Sequence, residues 1–292
     1  MKDKLFRSLM FVPGHNEKLM NSASKSDADV LLLDIEDSVQ PIRNKQLARD
    51  LVYSCVTNGN FKNYLVFPRV NDRESGQLLK DVHQLAVEGV HGFMYPKSTK
   101  AEDIYFFDKL LETIEYEKGL SVGTFKIIAL IETAAGVLNA QSIAQASKRV
   151  VSLAFGCEDF VTDLEGIHDH EGLSIYSARA IIAMASRAAG VIPVDTVHIK
   201  IHDLEDLEKN LQLAVKLGYE GMLVLHPKEI PLVHQYFTPS DQRYQEALEM
   251  LRLAEEAETE GRGVAIMNGK FIGPPMIKTA KKIIEKYNLT KK

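Results

Sequence analysis

This sequence has few cysteines, no tryptophan and no long apolar run. Its 292 residues include two cysteines, Cys55 and Cys157, and no tryptophan. Two cysteines in apolar surroundings suit neither a disulfide framework nor a zinc site, so we expect reduced, buried thiols and a cytoplasmic protein. No apolar run approaches the roughly 20 residues of a membrane span, and the run at residues 9–12 is too short for a signal-peptide core. A membrane partner is therefore not expected.

An excess of positive charge is also missing. The chain has 35 Lys and Arg against 40 Asp and Glu, which gives a formal net charge of -5. This balance offers no general reason to expect a nucleic acid or an anionic membrane surface as partner. The apolar fraction of 45% and the charged fraction of 26% are ordinary for a globular protein with a sizeable core.

The sequence lacks the glycine-rich dinucleotide fingerprint after its first strand, where Pro13-Gly14-His15-Asn16 stands instead. Short apolar segments do recur, with longer amphipathic stretches between them, which is typical of repeated β-α units. Eight such units favour a TIM barrel, that is a (β/α)8 barrel of the α/β class, over an open doubly wound sheet. The predicted strands are residues 8–12, 30–35, 64–70, 92–95, 127–131, 150–155, 191–197 and 221–225.

About 60 residues follow the eighth unit, and a barrel does not need them. We predict a catalytic barrel over residues 1–236 and a C-terminal extension over 237–292. In the extension, a helix starts near Ser240-Asp241, a hairpin turns at Asn268-Gly269, and a last helix follows Pro274-Pro275. Such an appendage packs either on its own barrel or on a neighbouring subunit.

Carboxylates follow the fifth and sixth predicted strands. Glu132 comes directly after residues 127–131, and Asp159 comes shortly after residues 150–155. Carboxyl ends of neighbouring parallel strands meet at one edge of the sheet, where catalytic groups of this fold collect. Carboxylate oxygens suit a hard divalent cation such as Mg²⁺, with open positions left for water or substrate. Glu132 and Asp159 are therefore the predicted metal ligands.

Seven short motifs, in order along nearly the whole chain, resemble the citrate lyase beta-subunit and malyl-CoA lyase family, in the 2-keto-3-deoxy acid aldolase superfamily. The matching segments are RSLMFVPG at 7–14, LDIEDSV at 33–39, FPRVN at 67–71, PKS at 96–98, IETAAG at 131–136, GCEDF at 156–160 and HP at 226–227. The resemblance implies a TIM barrel, a magnesium ion and a homotrimer or hexamer. It implies cleavage of a 3-hydroxy-3-carboxyacyl thioester of coenzyme A or an acyl carrier protein to an acetyl thioester and a 2-oxo acid.

The resemblance also assigns roles to individual residues. Glu132 and Asp159 match the metal ligands, and Arg69 matches the arginine that faces the thioester oxygen. A fixed guanidinium stabilises the enolate that carbon-carbon cleavage leaves behind. Glu36 and Asp37 match acids of the site floor that hold metal-bound water or position Arg69, with a structural ion pair as the alternative.

Four further residues are candidates for substrate or coenzyme binding. Lys97 and Arg7 match positions that touch substrate or thioester phosphates, and the alternative for each is a surface or supporting cation. His226 and Pro227 match positions that contact the nucleotide end of the carrier, with a plain strand-end turn as the alternative.

One departure from the family pattern concerns the C-terminal arm. Relatives carry an Asp there in a context like K-M-V-D-x-P, and Gly273 stands in its place in this chain. The family credits that Asp with proton transfer. A non-catalytic thioester-binding or regulatory relative is therefore one alternative. A second alternative is a class II pyruvate-type aldolase, which shares the barrel and the acidic metal pair but needs no coenzyme A.

Two groups of histidines are further candidates for metal binding or proton transfer. His168, Asp169 and His170 form a metal-like cluster with Glu171, but adjacent loop residues rarely converge on one ion. His198 and His202 straddle the end of the seventh strand, where a general acid or base would be useful, and we favour a lining role for His198.

Overall fold

Eight parallel strands form the centre of the molecule. The structure is a computed structural model, and it describes residues 4–167, 169, 172–261 and 264–291. Neighbours in the sheet follow the order β3-β2-β1-β8-β7-β6-β5-β4, and every pairing is parallel. The strands are β1 Ser8–Pro13, β2 Val30–Asp34, β3 Leu65–Val66, β4 Gly92–Tyr95, β5 Lys126–Ile131, β6 Val150–Phe155, β7 Ile192–Asp195 and β8 Gly221–Val224.

Backbone hydrogen bonds beyond β3 bring the two ends of this sheet together. Arg69 N donates to Leu33 O of β2 at 3.0 Å, while Met94 N of β4 donates to Pro68 O at 2.9 Å. Pro68 has no N–H to donate, so regular pairing stops after Val66, whereas the sequence pattern predicted a strand as far as residue 70. The TIM barrel prediction is confirmed. Besides β3, β7 is also shorter than predicted, since it covers Ile192–Asp195 and not residues 191–197.

Helices connect the strands and cover the outside of the barrel. The strands are almost wholly buried because both faces of a parallel sheet are covered, which explains their continuous apolar runs. The helices are α1 Glu17–Ala23, α2 Lys45–Thr57, α3 Leu78–Leu85, α4 Ala101–Glu117, α5 Ala134–Leu138, α6 Ala140–Gln145, α7 Cys157–Asp163, α8 Leu173–Ala189, α9 Leu204–Leu217 and α10 Ile230–Phe237. Short 3₁₀ helices occupy Ile42–Asn44 and Pro227–Glu229.

The described chain forms two compact units. One comprises residues 6–233, and the other comprises Lys4 and Leu5 with residues 234–261 and 264–291. None of the helices in the described ranges is both long enough and apolar enough to cross a membrane.

The second unit contains the predicted helix, hairpin and helix. These are α11 Asp241–Thr259, β9 Ala265–Met267, β10 Lys270–Ile272 and α12 Pro274–Leu289. Asn268 and Gly269 both have positive φ, 50° and 74°, as a type I′ turn requires. Ala257, Ala265 and Ile272 form a small core of their own.

Candidate active site

A cavity of about 500 Å³ lies within the first unit, where the strands of the barrel end. Apolar side chains form one part of its wall, and charged side chains from several strand ends form the rest. The lining residues are Phe11, Pro13, Asp34, Asp37, Ser38, Arg69, Leu130, Glu132, Gly156, Cys157, Glu158, Asp159, Val197, Ile199, Leu223 and Leu225. The structure thus brings the predicted ligands Glu132 and Asp159 together with Arg69 and Asp37.

Glu132 and Asp159 enter this cavity from neighbouring strands. Glu132 follows β5 and is 2% exposed, and its Oε1 accepts a hydrogen bond from the Lys97 backbone N at 2.6 Å. Asp159 lies in the first turn of α7, directly after β6. Burial raises the pKa of Glu132 well above its usual value, and the nearby charges of Glu36 and Asp159 act in the same direction. A buried acid beside another acid is the arrangement that a bound cation stabilises.

Gly156 allows the Glu132 side chain to lie where it does. A Cβ atom at residue 156 would stand 2.9 Å from both Glu132 Cβ and Glu132 Oε2, closer than such atoms normally approach. The glycine between β6 and α7 is therefore required by the position of the carboxylate.

The donor set fits a magnesium ion that also uses water or substrate oxygens. Across residues 4–167, 169, 172–261 and 264–291, no group of three or more His, Cys, Asp or Glu side chains converges as a metal cluster. Two carboxylates with remaining positions open are a common arrangement for Mg²⁺, which keeps several waters. Of the second cluster considered from sequence, His168, His170 and Glu171 lie outside the described residues.

Arg69 is held by three carboxylates. Its Nε and Nη2 donate to Oδ1 and Oδ2 of Asp34, each at 2.7 Å, while Nη1 lies 3.1 Å from Glu36 Oε2 and 3.3 Å from Asp37 Oδ2. Its guanidinium carbon also stands 4.8 Å from the centre of the Phe11 ring. Burial acts to lower the pKa of Arg69, but the charge of and hydrogen bond to Asp34 outweigh it and raise the pKa. The guanidinium is therefore always charged and held in one orientation.

Glu36 is buried beside this guanidinium, whereas Asp37 is exposed. Burial raises the pKa of Glu36 to about 7, against the opposing charge of Arg69. Neither Glu36 oxygen has a hydrogen-bond partner among the described atoms, although Arg69 and Lys97 lie near. The Asp37 side chain is 58% exposed and lines the cavity. Glu36 is thus a carboxyl group that changes its charge near neutral pH.

Lys97 lies close to these acids, at the end of β4. Its Nζ is 3.0 Å from Asp72 Oδ2 and 3.7 Å from Glu36 Oε1, and its side chain is about half exposed. Burial acts to lower its pKa, but the hydrogen bond to Asp72 and the charge of Glu36 outweigh that effect and raise it. Lys97 therefore presents a positive charge beside the acids without lining the cavity wall.

Arg7 is not brought to the cavity. It precedes β1 and pairs with Asp29, which precedes β2; Nε and Nη2 lie 2.9 and 2.7 Å from the two carboxylate oxygens. Both residues therefore lie at the amino ends of their strands, whereas the cavity lies at the carboxyl ends. Arg7 is therefore not placed to touch a substrate that binds in the cavity.

His226 and Pro227 follow β8, next to Leu225 of the cavity wall. The His226 Nδ1 accepts a hydrogen bond from Lys228 N at 3.1 Å and caps the 3₁₀ helix that starts at Pro227. Its ring centre lies 6.0 Å from that of His202. His226 and Pro227 thus form the strand-end turn that was the alternative for this pair. A role in binding the carrier stays a prediction.

His198 makes internal contacts instead of lining the cavity. Its Nε2 lies 3.0 Å from Asp206 Oδ2 and its Nδ1 lies 3.7 Å from Glu229 Oε1, and the wall is formed by Val197 and Ile199 on either side. Burial acts to lower the pKa of His198, but its two carboxylate partners outweigh this and raise it.

Asp34 is a site residue to which the sequence analysis assigned no role. It ends β2, two residues before Glu36, and its carboxylate also accepts hydrogen bonds from the backbone N of Glu36 and of Ser38 at 2.9 and 3.0 Å. Burial acts to raise the pKa of Asp34, but Arg69 outweighs it and lowers the pKa to about 2. In the sequence, the signal that could have identified Asp34 is an acid at the end of an otherwise apolar strand.

Gly273 lies in the second unit, as the residue that precedes α12. Its φ of -98° and ψ of 168° are accessible to any residue. A Cβ at this position would meet Cε1 of the Phe271 ring at 2.8 Å. Phe271 is 56% exposed, so its ring has room to turn away.

Several known proteins are similar to this chain. Residues 7–227 match the model of the family described as HpcH/HpaI aldolase/citrate lyase. The citrate lyase subunit beta of Haemophilus influenzae is 34% identical, with 97% of each chain covered. The L-malyl-CoA/beta-methylmalyl-CoA lyase of Rhodobacter capsulatus is 30% identical, with 99% of this chain and 96% of that one covered. Both relatives are named as lyases, which confirms the prediction of a carbon-carbon lyase.

Solved structures show the same fold. The protein CitE from Mycobacterium tuberculosis, in complex with magnesium, acetoacetate and coenzyme A, is 25% identical, with a TM-score of 0.76 over 98% of this chain and 99% of that one. A citrate lyase from Burkholderia xenovorans is 20% identical, with a TM-score of 0.85 over 98% of this chain and 92% of that one, and supports the fold alone. The chain therefore belongs to the HpcH/HpaI aldolase/citrate lyase family, as its motifs predicted.

Proposed function

We propose that this protein is a magnesium-dependent lyase that cleaves a citryl-, malyl- or citramalyl-CoA-like thioester to an acetyl thioester and a 2-oxo acid. The observation that carries the proposal is the shared cavity, in which the carboxylates of Glu132 and Asp159 and the guanidinium of Arg69 line one space. The magnesium and coenzyme A bound to the M. tuberculosis relative support it.

The proposed reaction needs negative charge to be stabilised on two different oxygens. Cleavage breaks the bond between C2 and C3 of the acyl chain, and the electron pair moves onto the thioester carbonyl as an enolate. Magnesium, when held by Glu132 and Asp159, supplies positive charge to the oxygen of the departing 2-oxo acid. Arg69 serves the other oxygen. Asp34 binds Nε and one hydrogen of Nη2, while Glu36 and Asp37 lie against Nη1. The second hydrogen of Nη2 can therefore be donated to the enolate.

The proton of the substrate 3-hydroxyl requires an acceptor. We assign this role to Asp37, because its carboxylate lines the cavity and lies beside Arg69. The protonated Asp37 then returns the proton to C2 of the enolate, which becomes the acetyl thioester. Glu36 stands behind it on the same guanidinium nitrogen, with a pKa of about 7 that lets it hold or release a proton at neutral pH. These assignments replace the arm Asp that Gly273 does not provide.

Substrate binding and assembly extend the proposal. We assign Lys97 to binding of a substrate carboxylate or a thioester phosphate, because its ammonium is half exposed and lies beside the acids of the site. His226 and Pro227 are assigned to the carrier, which is coenzyme A or an acyl carrier protein. The second unit is proposed to pack on a neighbouring subunit of a homotrimer or hexamer, in the cytoplasm. The exposed cross-strand pair of Ile266 and Phe271 on its hairpin supports such a contact.

The direct test offers the purified protein citryl-CoA, malyl-CoA and citramalyl-CoA, with magnesium or with EDTA, and measures acetyl-CoA by chromatography. We expect magnesium-dependent release from at least one thioester. Free 4-hydroxy-2-oxo acids are offered in parallel, because a pyruvate-type aldolase would cleave them and ignore the thioesters. Binding of all three thioesters without cleavage would contradict the proposal.

The non-catalytic alternative is tested by Gly273→Asp. If the arm position limits chemistry, the variant gains turnover markedly; if Glu36 and Asp37 do the work, turnover changes less than about threefold. Gly273→Ala is the matched control, because it also brings a Cβ against the Phe271 ring but carries no carboxylate.

A further inference from the structure

The segment of residues 34–39, called the acid loop here, carries three of the acids that surround Arg69. Its backbone is held at almost every residue. Gly14 N donates to Asp34 O at 2.7 Å, Ile35 N to Arg69 O at 3.1 Å, and Val39 N to Glu36 O at 3.1 Å. The Asp34 carboxylate satisfies two further backbone N–H groups, at Glu36 and Ser38. The carbonyl groups of Ile35 and Glu36 accept further hydrogen bonds from side chains outside the loop.

Lys45 lies beside these two carbonyl groups. It is the first residue of α2, and it is 5% exposed. Its Nζ lies 3.0 Å from Ile35 O and 2.5 Å from Glu36 O. Asn71 Nδ2 joins it on Ile35 O at 2.9 Å. One ammonium group thus connects the outer helix to the two residues that precede Asp37.

Burying this ammonium is costly for the fold. Its two acceptors are backbone carbonyls rather than a carboxylate, and taking a charged amine out of water without a paired acid is unfavourable. Burial lowers the pKa of Lys45, while the charges of Asp34, Glu36 and Asp81 act against that lowering. The first position of a helix does not itself favour a lysine, since the positive end of the helix dipole lies there. The cation is therefore better explained by the acids near it than by the helix.

Charge balance points the same way. Asp34, Glu36 and Asp37 surround one guanidinium, and the half-exposed Lys97 ammonium lies 3.7 Å from Glu36, so three acids face two positive charges. Lys45 adds a third, buried positive charge at the loop backbone, where it does not compete with substrate for Arg69. Lys45 can thus hold the acids in position beside Arg69, while the side of Arg69 that faces the cavity stays available to substrate.

We propose that Lys45 is a positioning residue, which fixes the acid loop so that Glu36 and Asp37 stay aligned on Arg69. The catalytic part of this inference rests on the proposed function, whereas the structural part does not. Lys45 does not line the cavity, so it acts through the loop alone.

The test compares Lys45→Met with Arg149→Met. The methionine side chain is one atom shorter than that of lysine, keeps its unbranched apolar stem, and removes the charge and both hydrogen bonds. Arg149 is a matched control because it is also buried, at 4% exposure, and pairs with Glu115 and Asp108 at the amino end of β6. Hydrogen exchange of residues 34–39 is followed by mass spectrometry, beside kcat, KM and thermal midpoint.

We expect Lys45→Met to speed exchange in the acid loop by about tenfold or more, and to lower kcat by roughly 10- to 100-fold with KM changed less than about threefold, because small misplacements of catalytic groups cost about that much. Arg149→Met should lower the thermal midpoint and leave both the loop exchange and kcat unchanged. If Lys45→Met does not fold, Lys45→Gln serves in its place.

Two results would overturn the proposal: unchanged exchange of the acid loop in a folded Lys45 variant, or a fall in kcat that the Arg149 variant reproduces. Absence of thioester cleavage by the wild-type protein would count against the proposed function instead. The exchange comparison would still decide whether Lys45 holds the loop.

Discussion

The cavity has two halves that are built on opposite electrostatic plans. In the arginine half, Arg69 is paired with Asp34 at 2.7 Å and flanked by Glu36 and Asp37, so opposite charges fix one another. In the carboxylate half, burial and the charge of Asp159 raise the pKa of Glu132, and Glu132 accepts only a backbone hydrogen bond from Lys97 among its described contacts. The first half is complete within the chain, whereas the second needs a cation from outside.

This difference explains why the charges of the arginine half can be buried without a bound ion, whereas those of the carboxylate half cannot. A buried guanidinium with a bidentate carboxylate has its donors satisfied, so its orientation is stable before substrate arrives. Two neighbouring carboxylates without a cation repel, and one of them takes up a proton instead. Each of the following experiments tests one side of this contrast.

Removing the cation should have the largest effect. We expect EDTA, or Glu132→Gln with magnesium present, to lower kcat by about a thousandfold or more, because a metal supplies several kcal/mol of charge stabilisation. Adding magnesium at about 100 times its Kd should stabilise the wild type by about 2.7 kcal/mol. Full activity in EDTA would break the comparison, since the carboxylate half would then work without a cation.

Arg69→Lys should have the next largest effect. Lysine keeps the charge but not the planar donors that pair with both oxygens of Asp34. We expect kcat to fall by about 100- to 1000-fold with a small change in KM, as for loss of one oxyanion donor. Steady-state kinetics measure this, and magnesium affinity by calorimetry should stay near that of the wild type. Loss of magnesium binding would show that the two halves are not separate.

Glu36 gives a pH dependence of stability within the arginine half. Its pKa is raised to about 7 in the folded protein, from about 4.3 when unfolded. Between these values the folded state binds more protons, so the stability that Glu36 contributes is complete below pH of about 4.3 and is lost as pH rises to about 7. The total is on the order of 3 kcal/mol.

Denaturant unfolding of metal-free protein from pH 4.5 to 8 should reveal this slope, and Glu36→Gln should reduce it. Part of the pH dependence remains in the variant, because burial raises the pKa of Glu132 as well. Parallel curves for both proteins over this range would show that Glu36 is ionised throughout.

Gly156→Ala should have the smallest effect, confined to the carboxylate half. The added Cβ would press on Glu132 Oε2 at 2.9 Å and displace the carboxylate. We expect magnesium affinity to fall by roughly 10- to 100-fold, as when supporting groups of a metal site are lost. Gly166→Ala is the matched control, because its nearest atoms lie at an ordinary 3.7 Å. Equal magnesium affinity for both variants would contradict the close-approach argument.

Much of the fold followed from local patterns. Buried parallel strands appear as short apolar runs, so all eight strands were predicted, and for all but β3 and β7 the ends agree to within one residue. The turn at Asn268-Gly269 was equally clear, because both residues accept positive φ. The third strand was predicted too long, since the break at Pro68 depends on which backbone groups face β4.

The candidate site was only partly visible in the sequence. Glu132 and Asp159 could be paired because each follows a strand, and strand order alone brings their backbones to one edge. Asp34 was assigned no role, because its partner Arg69 lies 35 residues away and the contact depends on strand register. Lys45 was missed for the same reason, since nothing in a helical pattern says that its first residue is buried.

The sequence by itself therefore determined the barrel, the family and the two acids suited to a cation, because these depend on patterns within short segments. Only the tertiary structure decided which charges pair, which acids stay unpaired with a cation, and that Arg7 stands at the other end of the barrel. Those outcomes depend on long-range register and burial, which set the electrostatic environment of each side chain.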